Sequence, residues 1–191
     1  MKTSSLNKKI ITSLLLLCVS ACANIPNHLI VAPDISDPAN VRYVNKNAQL
    51  TVTDMRTANH IVQILREGEA STLISAQESL NNTIKVALQE HWQKQGLTLQ
   101  DIGNNKITVT IDKAVISVAQ ETMSYKVQTE IVLIVNINNG SETLTSTFNN
   151  RGNSEGPLQA DIAVLERNFN QRLATLLQQI LANEKISNFL K

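Results

Sequence analysis

The chain has 191 residues, of which 42% are hydrophobic and 17% are charged, with 17 Lys and Arg against 16 Asp and Glu. The charged residues are scattered along the chain rather than gathered in blocks, which argues against a nucleic-acid-binding protein. After the N-terminal leader, this length is enough for one modest domain with a hydrophobic core.

The segment 1–21 has the features of a signal peptide. A basic start with three lysines and no acidic residue precedes an apolar run at 10–19, which two polar residues interrupt. A membrane-spanning helix needs about 20 apolar residues, so this run is too short to span but has the length of a signal-peptide core.

Cys22 is the predicted lipidation site. The sequence Val19-Ser20-Ala21-Cys22 follows the aliphatic, small, small, cysteine pattern of bacterial lipoboxes. The alternative is an ordinary secretory signal cut near Ala21 or Ala23, with Cys22 incidental; it is less favoured because charge, apolar core and small residues stand in register. Leu17 precedes Cys18 where a small residue is required, so Cys18 belongs to the apolar core. The mature domain then has no cysteine for a disulfide, zinc site or thiol nucleophile.

The residue after Cys22 bears on localisation. An Asp there would favour inner-membrane retention in enteric-type bacteria, and this chain has Ala23. The sequence therefore predicts anchoring to the outer membrane, facing the periplasm, through acyl chains that exceed the two signals needed for durable attachment. Loss of the leader leaves 14 basic and 16 acidic residues, a net charge of −2.

The segment 22–46 is rich in Asn, Pro, Asp and Ala and is predicted to be a lipidated tether, or alternatively a strand-like arm packed along the domain. Residues 47–191 form the predicted domain. Its first strands are expected at Ala48–Arg56 and His60–Arg66, where apolar residues recur with strand periodicity, and a short strand at Ser71–Ile74 completes a hairpin.

Ser75 and Glu78 have the spacing of a capping box, which predicts a helix from Ser75 to Gln95. Gly96 suits the left-handed position that ends a helix. Five residues share the predicted buried stripe at helical spacing. They are Leu80, Ile84, Ala87, Leu88 and His91.

The next predicted elements are a turn at Asn104-Asn105 and a long strand at Ile107–Ala119. The apolar phase of that strand slips by one residue, which predicts a bulge near Asp112-Lys113. A strand at Met123–Ile137 follows, and its continuous apolar stretch at 131–135 predicts a central position in the sheet.

Asn139-Gly140 predicts a hairpin with a type I′ turn, followed by a strand at Glu142–Asn150. A loop is expected at Gly152–Pro157, with Pro157 in the first turn of a helix that ends near Asn183. The predicted helical stripe and packed tail comprise Ile162, Leu165, Phe169, Leu173, Leu176, Ile180, Ile186, Phe189 and Leu190. These elements predict an α+β fold, a mixed and mostly antiparallel sheet with two helices on one face.

Candidate sites are few. His28, His60 and His91 lack metal-ligand spacing, so neither a metal nor a cofactor is predicted. Asp54 and Arg56 lie on one strand face, where they form either a structural ion pair or, through Arg56, a contact for an anionic ligand. Two aromatic residues, Trp92 and Tyr125, either line a glycan groove or belong to the core.

The chain is not expected to be an enzyme. A paired-carboxylate mechanism is the one hydrolytic route that the residue inventory leaves open. Most of the candidate carboxylates occupy predicted solvated positions, where they make poor general acids at neutral pH. They are Asp112, Glu121, Glu130 and Glu142.

Several of these features together resemble the YajG family of bacterial lipoproteins. They are Asp54-Met55-Arg56-Thr57, the helix from Thr83 to Gly96 with Leu-Gln-Glu at 88–90, the strand from Tyr125 to Val135, the Gly152–Gly156 loop and the tail Ile186–Lys191. The resemblance implies an outer-membrane lipoprotein facing the periplasm, without an assigned reaction or catalytic residues. In some relatives the gene neighbours one for a muropeptide permease, which hints at cell-wall metabolism. The expected role is a lipid-anchored interaction or assembly factor with an envelope partner, or else a module that binds peptidoglycan fragments.

Replacing the predicted acyl acceptor tests the anchor. We expect Cys22→Ala to give an unprocessed precursor or a periplasmic form without lipid, because the thiol that receives the diacylglycerol is gone. Radiolabelled palmitate incorporation measures this directly. Cys18→Ala is the matched control and should incorporate label like the native chain; equal labelling of the Cys22→Ala variant would contradict the assignment.

Overall fold

A computed structural model describes residues 28–38, 40–103 and 105–190. The predicted signal peptide, Cys22 and Asn104 of the predicted turn lie outside these residues. No helix in the described part is long and apolar enough to cross a membrane. The elements are β1 (His28–Leu29), β2 (Lys46–Asp54), β3 (His60–Arg66), β4 (Thr72–Ala76), α1 (Leu80–Lys94), β5 (Leu97–Leu99), β6 (Asn105–Gln120), β7 (Ser124–Asn138), β8 (Thr143–Pro157), α2 (Ile162–Ala182) and α3 (Glu184–Leu190).

Strand β6 is the centre of the sheet. Along one side it pairs antiparallel with β7, which in turn pairs with β8. Along its other side β2 pairs with the first half of β6 and β3 with the second half, both parallel, so that β2 and β3 lie end to end. Strand β5 flanks β2, while β4 and then β1 flank β3. This mixed sheet confirms the predicted α+β class.

A bulge in β6 keeps the apolar side chains of this long strand on one face. The register against β7 shifts between Ile111 and Lys113, as the slip in apolar phase predicts. Ile111 is fully buried before the shift, and Ala114 and Ile116 are buried after it. One extra residue therefore restores the inward phase that strict alternation would lose.

Helices α1 and α2 cover the inner face of the sheet, and their apolar stripes confirm the predicted ones. Leu80, Ile84, Leu88 and His91 are buried on α1. Helix α2 begins after Asp161, whose carboxylate accepts the N–H of Ala163, and it ends before Asn183 as predicted. The packed tail is the short helix α3.

The start of α1 differs from the prediction. The helix begins at Leu80, and Ser75 belongs to β4, where it pairs with His28 on one side and His60 on the other. Ser79 is the N-cap and its side chain makes no capping hydrogen bond. The capping box is therefore wrong, because ladders on two sides satisfy more backbone groups than one side-chain cap can.

The described part of the predicted tether, residues 28–38 and 40–46, packs on the domain, which agrees with the alternative prediction of a strand-like arm. We call this part the arm. Leu29 and Tyr43 are fully buried. The Glu166 carboxylate accepts the N–H of Ile30 at 2.8 Å. The side-chain amide of Asn170 donates to the carbonyl of Ile30 and accepts the N–H of Ala32. The domain thus reaches back to His28, earlier than the boundary predicted at residue 47, because the arm has apolar residues that the core buries.

The hairpin between β7 and β8 is present, but its turn is one residue further on. Asn139 donates its N–H to Glu142 O, which leaves Gly140 and Ser141 as the two loop residues. Gly140 has φ +94°, whereas Asn139 and Ser141 have no positive φ. A type I′ turn needs positive φ at both loop positions, so the type I′ assignment is wrong. The Glu142 N–H donates to the side-chain carbonyl of Asn139 at 2.9 Å.

The predicted loop at Gly152–Pro157 is wrong, because this segment is the second half of β8. A Cβ at Gly152 would overlap the Arg172 guanidinium, and one at Gly156 would meet the Tyr125 ring. Both glycines therefore make room for side chains that cross the strand. Pro157 ends the strand rather than starting a helix.

Candidate functional site

Asp54 and Arg56 close the gap between β2 and β3. The Arg56 Nε and Nη2 atoms donate to the Asp54 carboxylate, with the shortest distance 2.7 Å from Nη2 to Oδ2. The Arg56 Nη1 atom donates to the carbonyls of His60 and Ala114, each at 3.2 Å. Ala114 follows the bulge of β6, where neither β2 nor β3 reaches the strand. The guanidinium thus replaces the missing strand neighbour, which is the structural interpretation of this pair.

Burial and charge together explain the state of this pair. The exposed fractions are 8% for the Arg56 side chain and 20% for that of Asp54. Burial acts to raise the pKa of Asp54, but the hydrogen bonds and the charge of Arg56 outweigh it and hold the pKa below its ordinary value. The stability that comes from this shift is present above the ordinary pKa of Asp and is lost as the pH falls through the lowered value.

A shallow depression of about 350 Å³ lies beside this pair, and it brings two of the four candidate carboxylates together. Asp112 and Glu130 line it, whereas Glu121 and Glu142 lie elsewhere. Glu130 binds Arg151 at 2.7 Å and Lys113 at 3.2 Å. The hydrogen bond from Arg151 is the largest cause that lowers the pKa of Glu130, which favours its ionised form.

The two aromatic candidates do not form a groove. Trp92 is fully buried in the core, so its ring is not available to an outside ligand. Tyr125 is half-buried and lies over Gly156. Of the two alternatives, the glycan groove lined by both rings is therefore wrong, and the core position is confirmed for Trp92, because α1 turns its ring toward the sheet.

A polar cavity of about 260 Å³ lies between the arm, α1 and the end of α2. Arg42, His91, Gln95 and Gln178 line it. Gln95 is 4% exposed and donates to Leu181 O, but its Oε1 has no hydrogen-bond partner among the described residues. A buried amide oxygen without a partner favours a ligand that donates a hydrogen bond.

Strand β8 forms an edge of the sheet. It has 15 residues, and within the described part of the chain β7 alone pairs with it. The Asn139 N–H donates to Glu142 O, so these two residues face each other at a hydrogen-bonded position of the ladder. Such positions alternate with non-hydrogen-bonded ones along an antiparallel ladder. The backbone N–H and C=O groups of the odd-numbered residues of β8 therefore point away from β7. Arg172 confirms this direction, since its Nη1 donates to Arg151 O from that side.

The two halves of this edge differ in protection. The second half has the charged residues Arg151 and Glu155, the strand-ending Pro157 and the cover of Arg172, all of which hinder pairing with another strand. Residues 143–149 have no charge, proline or glycine. We call 143–149 the open edge, and its outward backbone groups belong to Thr143, Thr145, Thr147 and Asn149.

A groove of about 540 Å³ runs beside the open edge. Its lining comprises 145–148 from β8 together with Asn183, Glu184 and Lys185 at the junction of α2 and α3. A strand edge beside a groove is the geometry that receives an extended peptide, with the edge binding its backbone and the groove its side chains. The sequence marks this strand by its alternation, but does not show that no further strand pairs with it.

Comparisons with known proteins give one family model that matches most of the chain and one solved structure that shares its fold. A family model described as "uncharacterized lipoprotein" matches residues 33–191. None of the curated proteins matches the chain. A Xanthomonas campestris protein of the family DUF330 shares the fold, with a TM-score of 0.56 and 11% identity over 84% of this chain and 96% of that one.

Two further structures are less similar. A homolog of the neuraminyllactose-binding hemagglutinin from Helicobacter pylori gives a TM-score of 0.49 at 8% identity, covering 85% of this chain and 96% of that one. Rare lipoprotein B from Shewanella oneidensis gives 0.38 at 12% identity, covering 74% and 98%.

Removing the guanidinium tests its structural role. We expect Arg56→Leu to lower the free energy of unfolding by about 2–3 kcal/mol, because the carboxylate of Asp54 and two carbonyls lose their donor. Denaturant unfolding measures this change. Arg167→Leu, at an exposed position of α2, is the control and should change stability by less than about 0.5 kcal/mol. Equal losses in the two variants would overturn the structural interpretation of Arg56.

Proposed function

The chain belongs to a family of uncharacterized lipoproteins, and from this premise we propose that it is a lipid-anchored, non-enzymatic interaction or assembly factor of the cell envelope. In this proposal the open edge receives an extended polypeptide strand. The single observation that supports it is that, among the described residues, 143–149 is a strand edge without a pairing strand, charge, proline or glycine, beside a groove.

The energetics favour backbone recognition at this edge. An added strand satisfies N–H and C=O groups that otherwise face water, and each hydrogen bond contributes on the order of 1 kcal/mol net. The residues with outward backbone groups have exposed, uncharged and short side chains. They are Thr143, Thr145, Thr147 and Asn149. They therefore neither repel nor sterically block an incoming strand.

The anchor gives this surface its place in the cell. Family membership agrees with the lipobox at Cys22, and the finer proposals are the YajG family and the periplasmic face of the outer membrane. Ala23 supports the outer membrane, since no Asp follows the acylated cysteine. Membrane attachment and strand docking together describe a protein that holds a partner near the bilayer.

A non-enzymatic role is part of the proposal. Glu130 is held ionised by two cations, which suits an ion pair better than a general acid. Among the described residues no group of His, Cys, Asp and Glu could hold a metal ion.

A photoreactive side chain at the open edge tests the docking. We expect benzoylphenylalanine in place of Thr145 to cross-link a polypeptide in living cells, because a docked strand would lie within reach of this position. The same probe in place of Thr51, an exposed threonine of β2, is the matched control. Thr147→Pro removes an outward N–H without touching the β7 ladder and should abolish the product. A probe at 145 that yields no product, or the same product as the probe at 51, would contradict the proposal.

The second candidate is a module that binds peptidoglycan fragments, and the polar cavity favours it. Arg42 suits a peptide carboxylate, and the unpartnered Gln95 Oε1 suits an amide N–H or a hydroxyl. Muropeptides offer all of these groups.

Calorimetric titration with a purified muropeptide tests this alternative. If the cavity binds it, Arg42→Met should weaken binding at least about tenfold, because a hydrogen bond to a charged group contributes about 1.5–3 kcal/mol. Arg167→Met is the control and should bind like the native protein. An absence of binding heat in the native protein would remove this candidate.

A further inference from the structure

Resting on the proposed function, we infer that the strand docked on the open edge is the open edge of a second copy of this chain. The two strands run antiparallel about a two-fold axis through Ser146. The resulting dimer has one continuous sheet.

The sequence of the open edge is nearly symmetric about Ser146. It reads Thr143-Leu-Thr-Ser-Thr-Phe-Asn149, with an apolar residue two positions away on either side of the centre. Antiparallel pairing about this centre places each residue opposite its counterpart in the copy. The segment is therefore complementary to itself, as an interface between identical copies about a two-fold axis requires.

The backbone groups agree with this centre. Pairing about Ser146 sets Thr143 opposite Asn149 and Thr145 opposite Thr147 of the copy. All four are odd-numbered residues, whose N–H and C=O groups point away from β7. The two-fold axis repeats both pairings, which makes four such pairs. Each pair exchanges two hydrogen bonds, so the interface gains about eight. A centre shifted by half a residue would set odd-numbered residues opposite even-numbered ones and lose this match.

The side chains agree on both faces of the sheet. On the inner face Leu144 meets Phe148 of the copy, and both are half-buried residues packed against the core. On the outer face short uncharged side chains meet one another, without like charges in opposition. The apolar pairs also explain why the half-buried Leu144 and Phe148 stand at the rim of the sheet rather than in its middle.

The corner beside the groove adds complementary charge. Glu184 and Lys185 are adjacent, exposed and of opposite sign. A two-fold axis near this corner allows the glutamate of each copy to face the lysine of the other. The second half of β8 takes no part, because Arg172 covers the carbonyl of Arg151.

A cysteine at the proposed axis tests the dimer in the full lipoprotein. We expect Ser146→Cys to form a disulfide-linked dimer in the oxidising periplasm, because residues opposite each other in a non-hydrogen-bonded antiparallel pair have Cα atoms about 4.5 Å apart, within disulfide range. A non-reducing gel of isolated envelopes measures the product. Ser154→Cys, the same substitution in the same strand, should remain monomeric. A monomeric Ser146→Cys variant, or equal dimer from both cysteines, would overturn the inference.

Charge at the open edge supplies the second variant. The variant combines Thr145→Lys and Thr147→Lys with Ser146→Cys. Two lysines from each copy then face each other at the interface, and we expect the disulfide-linked dimer to decrease at least tenfold. Thr51→Lys with Thr53→Lys repeats the spacing on β2 and should leave the dimer intact; if the edge lysines also leave it intact, the proposed interface is wrong. If the probe at 145 cross-links another protein while Ser146→Cys stays monomeric, the inference fails and the proposed function stands. If the benzoylphenylalanine probe at 145 yields no cross-linked product, both the proposed function and the inference of a dimer fail.

Discussion

The ion pair of Asp54 and Arg56 is the interaction on which the arrangement of the sheet depends. Strands β2 and β3 lie in line along β6, and a break between them leaves the carbonyls of His60 and Ala114 without a strand partner. The Arg56 guanidinium donates to both while Asp54 holds it in place. Buried carbonyls without donors would cost free energy comparable to lost hydrogen bonds. One side chain thus lets two short strands act as one long neighbour of β6.

The length of β6 in turn decides where the edges of the sheet fall. One side of β6 is shared by β2 and β3, and their outer neighbours end in β5 and β1, which have three and two residues. Such short edges offer little to an incoming strand. The other side has β7 and β8 at nearly full length, so β8 forms the long edge of the sheet within the described residues. Its protection by Arg172, Pro157 and charge covers only the second half.

The sequence predicted those features of the fold that depend on residues close together in the chain. The bulge of β6 followed from a slip in apolar phase, and the stripes of α1 and α2 followed from helical spacing. The capping box at Ser75 was wrong because the strand partners of Ser75, His28 and His60, are distant in sequence. The loop at Gly152 was wrong because the glycine makes room for Arg172, which lies on another element. The pairing of Asp54 with Arg56 was visible at a spacing of two, but their contact with Ala114 depends on the fold. The open edge was likewise hidden, because which strand ends a sheet is a property of topology.

The position of the arm bears on whether a dimer can sit on a membrane. On the path through β3, the first and last strands of the sheet are β1 and β8, so the chain leaves toward its predicted anchor from the edge opposite the open one. Antiparallel pairing of two β8 strands places the two-fold axis perpendicular to the sheet, and both copies then keep their helices on the same side. The two arms therefore lie on the outer edges of the dimer, at the same position along the two-fold axis. This arrangement is the one that attachment of both predicted anchors to one bilayer requires while the central strands remain paired.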